Sequence, residues 1–94
     1  MNFEWHSLKA QSNLQKHGVS FEEALTVFDD PLVDIQPDFA HSIEEARFSA
    51  IGRSSEGRLL VVVFSEKTDA MRLISAREPT PKERRHYESY DQFA

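Results

Sequence analysis

The sequence contains no cysteine. A disulfide framework and a thiolate metal site are therefore excluded. The longest apolar run, "LLVVVF" from Leu59 to Phe64, is far too short to cross a bilayer. The opening "MNFEWHSLKA" lacks the charged-then-apolar layout of a signal peptide. The expectation is a cytoplasmic protein with no membrane contact. His6, His17, His41 and His86 show no ligand spacing, and there is no glycine-rich phosphate loop or nucleophile motif. No metal and no cofactor are expected. Repeats, low-complexity tracts and dividing linkers are also missing from the sequence.

What is present is a single small domain over 1–94. A chain of this length buries a modest share of its surface, so a partner or an oligomer is expected to add support. The hydrophobic fraction of 39%, with seven Phe, two Tyr and one Trp, is enough for a core. The net charge is -5, unevenly spread. Residues 1–47 hold three basic residues against nine acids, and residues 48–94 hold eight against seven. On composition a generic nucleic-acid binder is disfavoured, and the asymmetry fits either one basic face on an acidic body or ordinary solvated surface charge.

"FEW", Phe3 to Trp5, alternates as a short edge strand does. Ser7 is placed to cap a helix from about Leu8 to His17 that ends at Gly18, with Leu8 and Leu14 toward the core. In "SFEEALTVFDDP", Ser20 and Glu23 have capping-box spacing, and Phe21, Ala24, Leu25 and Phe28 form one apolar stripe. "LVDI", Leu32 to Ile35, is a weak strand, and residues 36–46 read as a loop. Arg47–Arg53, Arg58–Ser65 and Ala70–Arg77 then read as three strands joined by "SSEG" and "EKTD", an antiparallel meander. The middle run is apolar on both faces, as in a covered central strand. Thr80, Pro81 and Glu83 start a last helix running to about Tyr90. Tyr87 and Tyr90 are expected to pack it onto the sheet. The class is α+β: an antiparallel sheet with two N-terminal helices and one C-terminal helix.

The segments "FEW", "KHGVSFEEA", "RFSAIGR", "GRLLVVVF" and "RLISAREPTPKERRHYE" stand in an order and spacing that resemble the BrnT family of type II toxin–antitoxin toxins. The resemblance covers residues 3 to 88. It implies a fold similar to the RelE group of small ribonucleases and metal-independent RNA cleavage that arrests growth. It also implies neutralisation by a BrnA-type antitoxin, a ribbon-helix-helix DNA-binding protein through which alone operator DNA is reached. Family members usually carry Asp after the tryptophan, where this chain has His6.

RNA cleavage without metal needs the 2′-OH deprotonated, the 5′-oxygen protonated and the phosphorane charge stabilised. Arginine suits the last task. The strand end at Arg77 and the helix start near Arg84 must meet across the "EPTP" turn. With the resemblance, the catalytic candidates are Arg77 first, Arg84 second and Arg72 third, with His86 as a proton carrier. Arg85, Lys16 and Trp5 are candidates for substrate binding. Taken singly, each Arg reads as a solvated charge, Lys16 and His17 as complements to a helix dipole, and Trp5 as core. Arg72 and Arg77 are an odd number of residues apart, so they share a face only if a bulge intervenes. The alternative function is a weakly active interaction module serving as co-repressor with its antitoxin.

Overall fold

A computed structural model describes residues 2–41, 45–67 and 69–91 of the chain. The elements in order are β1 (Phe3–Glu4), α1 (Ser7–His17), α2 (Phe21–Leu25), a 3-10 turn at Thr26–Asp29, β2 (Asp34–Pro37), a 3-10 turn at Phe39–His41, β3 (Ala46–Arg53), β4 (Leu59–Glu66), β5 (Met71–Arg77) and α3 (Pro81–Asp91). The sheet order is β1-β5-β4-β3-β2. All neighbours are antiparallel except β1 and β5, which run parallel. The class is α+β with the expected meander at its centre.

The alternation of strand residues splits the core in two. Ala50, Leu60, Val62, Phe64, Leu73 and Ala76 point to one face, where Val19, Phe21, Ala24 and Val27 cover them. Ile51, Leu59 and Val61 point to the other, where Tyr87 of α3 and Leu32 cover them. That accounts for a β4 that is apolar on both faces. Gly52 is needed for close approach: a Cβ there would meet the Val27 carbonyl oxygen at 3.0 Å.

Several local expectations are corrected. Leu8 and Leu14 are 65% and 51% exposed, so they are not core. The buried residue of α1 is Asn13, with Ala10 packed at its side. The cap of α1 is His6, whose Nδ1 accepts from the Leu8 N–H at 3.2 Å, and the helix starts at Ser7. Gly18 ends it in the left-handed region, at φ 69°. The second helix is shorter than its apolar stripe and tightens into a 3-10 turn after Leu25. Its capping box is half formed: Ser20 Oγ accepts from the Glu23 N–H at 3.0 Å. The Glu23 carboxylate turns instead to Arg58 and Ser54. β2 begins two residues later than expected and includes Pro37, which an edge strand tolerates. Residues 42–44 of the expected loop, and the side chain of Tyr90, lie outside the described residues.

The β4–β5 pairing contains a bulge. Val63 faces Ser75, yet the next residue of β4, Phe64, faces Leu73, so Ile74 is the extra residue. Arg72 and Arg77 therefore fall on one face, the face that carries α3. Asn13 closes the edge of β5 beyond its short pairing with β1. Its Oδ1 accepts from the Ala76 N–H at 3.1 Å, and its Nδ2 donates to the Ala76 carbonyl at 2.8 Å and to the Val19 carbonyl at 3.0 Å.

Candidate functional site

The helix start near Arg77 is built as expected. Thr80 Oγ1 accepts from the Glu83 N–H at 3.2 Å, and Glu83 Oε1 accepts from the Thr80 N–H at 2.8 Å, a complete capping box. Arg77 does meet this helix end. Its Nη1 and Nη2 donate to the two Glu83 oxygens at 2.8 and 3.0 Å. The Arg77 guanidinium is the main cause that holds the Glu83 carboxyl down to about 2, against the opposing effect of burial. Glu83 in turn raises Arg77. The anion at this helix N-terminus is thus the protein's own, and both forks of Arg77 are engaged by it.

The remaining cations of α3 are dispersed. Arg84 is exposed and lies 4.0 Å from Glu88. Arg85 is exposed, and at two positions from the buried Tyr87 it turns away from the sheet. His86 is two residues from Arg84, about 200° around the helix, and so sits on the opposite flank. There its Nε2 lies 2.9 Å from Asp34 Oδ2 on β2. Tyr87 donates its hydroxyl to Asp30 Oδ2 at 2.5 Å. Burial pushes the Asp30 carboxyl up, but hydrogen bonds from the Arg53 N–H, Tyr87 and the Leu32 N–H outweigh it and leave Asp30 below its ordinary value. Arg53 also stacks over the Tyr87 ring at 5.7 Å.

Arg72 occupies a different place. Register sets Arg47, Ser65 and Arg72 directly opposite one another across β3, β4 and β5. Opposed residues share a face, so the two arginines flank Ser65 with backbones about 10 Å apart. Among the described residues the ionic neighbours of the Arg72 guanidinium are loose, Glu45 at 3.6 Å and Glu4 at 3.8 Å. Ser65 Oγ is buried without a well-formed hydrogen bond, yet it lies near enough to Glu45 to depress that carboxyl. Arg72, Lys67 and Arg47 add to the depression, while desolvation opposes it. Asp34 stands three strands from β5, about 14 Å across the sheet, and opposite Ile51 rather than in the row of Arg47. His86 and Arg72 therefore do not converge on one phosphate.

Trp5 joins Arg72 rather than the α3 group. Glu4, Trp5, His6, Lys9, Arg72 and Leu73 line one cleft of about 340 Å³ beside the β1 edge. Lys16 is exposed in the last turn of α1, at the helix end opposite His6. Among the described residues no group of three His, Asp or Glu is placed to hold a metal ion.

The sequence alone does not single out Arg47, Glu45 or Asp34. Their placement beside Arg72 and His86 depends on strand register and on β2–α3 contact, which local patterns do not encode. The one available signal was the odd spacing of Arg72 and Arg77 on a strand whose other residues demanded burial of Leu73 and Ala76.

Residues 5–83 match the family described as ribonuclease toxin, BrnT, of type II toxin–antitoxin systems. The chain is similar to the Brucella abortus ribonuclease toxin BrnT, known from a 1.1 Å crystal structure. The two are 25% identical with a TM-score of 0.66, over 85% of this chain and 97% of the other. Curated proteins give no match.

Proposed function

The chain belongs to the BrnT family of ribonuclease toxins of type II toxin–antitoxin systems, and on that premise we propose that it cleaves RNA without a metal ion and is neutralised by a BrnA-type antitoxin. The family match over residues 5–83 is the observation that carries this reading. The antitoxin is taken to be a ribbon-helix-helix protein, through which alone the pair reaches operator DNA, and the site of action is the cytoplasm.

The sheet face offers the chemistry. In the reaction the 2′-oxygen of a ribose attacks phosphorus, the bond to the 5′-oxygen breaks, and a 2′,3′-cyclic phosphate and a 5′-hydroxyl result. Arg72 and Arg47 supply fixed positive charge on either side of Ser65, where phosphorane charge develops. Glu45, 3.6 Å from Arg72 and held below the ordinary carboxylate range, is ionised at neutral pH and takes the 2′-OH proton. Water protonates the leaving 5′-oxygen. Arg77 acts as a positioning residue that ties α3 to β5 through Glu83. Arg84 and Arg85 serve as solvent-side contacts to flanking phosphates, and His86 with Asp34 meets the RNA farther along the same face.

A second reading, the interaction module acting as co-repressor, draws support from the acidic charge of the first half of the chain. Induced expression separates the two. The ribonuclease reading expects growth arrest, lost in Arg72→Ala and relieved by co-expression of a ribbon-helix-helix protein encoded next to the toxin. Purified protein should cleave RNA undiminished by chelator. Cleavage that chelator abolishes and added metal restores would refute the metal-free mechanism.

A further inference from the structure

The cleft beside β1 has no role in the scheme above apart from the arginine it shares. Among the described residues that line it, Lys9 and Arg72 stand with one carboxylate, Glu4, while Glu45 lies 3.6 Å from Arg72 outside the lining. The Glu4 carboxylate is itself engaged by Lys67 Nζ at 3.2 Å. His6 adds a further donor. Its Nδ1 accepts from the Leu8 N–H, so its ring proton is on Nε2 and is not consumed by the cap. Leu73 supplies an apolar floor. Trp5 is half-buried and braced edge-on by Phe21, with ring centroids 5.9 Å apart at 83°. An aromatic surface beside two cations and an N–H donor is the combination that takes a base and its phosphate together.

We infer that this cleft seats one nucleotide of single-stranded RNA, its base against Trp5 and its phosphate between Lys9, Arg72 and the His6 Nε2–H. The inference rests on the ribonuclease reading for its choice of ligand. Arg72 then links the two places: it bounds the cleft on one side and flanks Ser65 on the other, so the seated nucleotide adjoins the phosphate to be cut. His6 sharpens the assignment. A carboxylate cap at this position would set a second negative charge against the phosphate, whereas the imidazole caps α1 and keeps a donor for the ligand.

Trp5 is the only tryptophan of the chain, so its fluorescence reports on the cleft directly. The probe is an uncleavable 2′-O-methyl trinucleotide, titrated into the full chain. Saturable quenching is expected. Lys9→Glu should weaken binding about tenfold and lower the salt slope by about 0.7, the share of one single-strand phosphate. His6→Asp should weaken it less, with the fold kept by the new cap. Lys82→Glu, an equal charge change on exposed α3, should leave binding as it is. The inference fails if the wild type shows no quenching, if Lys82→Glu weakens binding as much as Lys9→Glu, or if equal inorganic phosphate competes as well as the trinucleotide. RNA cleavage measured on the same samples keeps the two readings apart. Cleavage without quenching discards the subsite alone, and quenching without cleavage or growth arrest discards the ribonuclease reading alone.

Discussion

The side-chain amide of Asn13 pairs with both backbone polar groups of Ala76, doing for the edge of β5 what a neighbouring strand would do. Asn13 is 6% exposed, so water cannot replace it. Asn13→Leu would strand a buried N–H and a buried carbonyl of Ala76 and free the Val19 carbonyl. The expected cost is about 2–4 kcal/mol, from one to a few kcal/mol for each orphaned group. Denaturant unfolding measures it, and a midpoint equal to wild type would show that β5 needs no such edge partner.

Asn13 also explains which parts of the fold could be read from sequence. The meander was legible because β3, β4 and β5 each carry their own period-2 pattern and short turns. The start of α3 was legible because a capping box is local. Helix α1 was misread because its buried position is a polar residue recruited by a strand 63 positions away. Leu8 and Leu14 then looked like the core face by default. The site divides in the same way. Arginine as the candidate side chain follows from the chemistry of a phosphorane, but the row Arg47–Ser65–Arg72 exists only once three strands are in register. The engagement of Arg77 by Glu83 was hidden because Glu83 already had a sufficient local explanation as a cap.

Arg77 and Arg72 should therefore fail differently. Arg77→Ala removes the partner of Glu83 and loosens α3, so the melting temperature falls together with activity. Arg72→Ala removes a guanidinium whose ionic neighbours among the described residues are loose, so RNA cleavage drops by roughly 10²-fold or more with the melting temperature held. Thermal melts beside single-turnover cleavage decide this. Equal melting temperatures for the two variants would remove the positioning role given to Arg77.

Glu23 and Glu83 are the two carboxylates whose depression is largest among the described residues. Arg58 is the main cause that holds Glu23 down to about 2, and Arg77 does the same for Glu83. Both folded values lie below the ordinary 4.5. The stability they contribute is therefore complete above about 4.5 and lost as pH falls toward about 2. Glu23 is the more buried, with Ser54 Oγ at 2.7 Å as well as Arg58. In Glu23→Gln, the urea midpoint should fall less steeply between pH 4.5 and pH 2 than in wild type. Parallel curves would mean that Glu23 is not the titrating group.

The aromatic cluster on the α1–α2 side offers a packing test. Phe28 contacts Phe3 at 4.9 Å and Phe64 at 5.3 Å between ring centroids. It is only partly buried, so Phe28→Ala should cost about 3 kcal/mol, the low end for a core aromatic. An unchanged melting temperature would contradict the packing of the 3-10 turn on the sheet.

The bulge at Ile74 leads to an unusual expectation about deletions. A one-residue deletion within a paired strand normally inverts every side chain on one side of the cut. Ile74 is different, because Val63 and Phe64 already face Ser75 and Leu73 without it. Removing Ile74 leaves those as consecutive pairs, with Leu73 and Ala76 still inward and Arg72 and Arg77 still together outward. The deletion variant should fold cooperatively, losing only the local contacts and extra twist of the bulge. Deleting Val63 from β4 is the matched control. It would turn one end of the central strand over and bring either Phe64 or Val62 out of the core that both now share. That variant should show no cooperative unfolding transition. Circular dichroism melts of the two proteins distinguish the cases, and an Ile74 deletion as unfolded as the Val63 deletion would show that β5 is not bulged there.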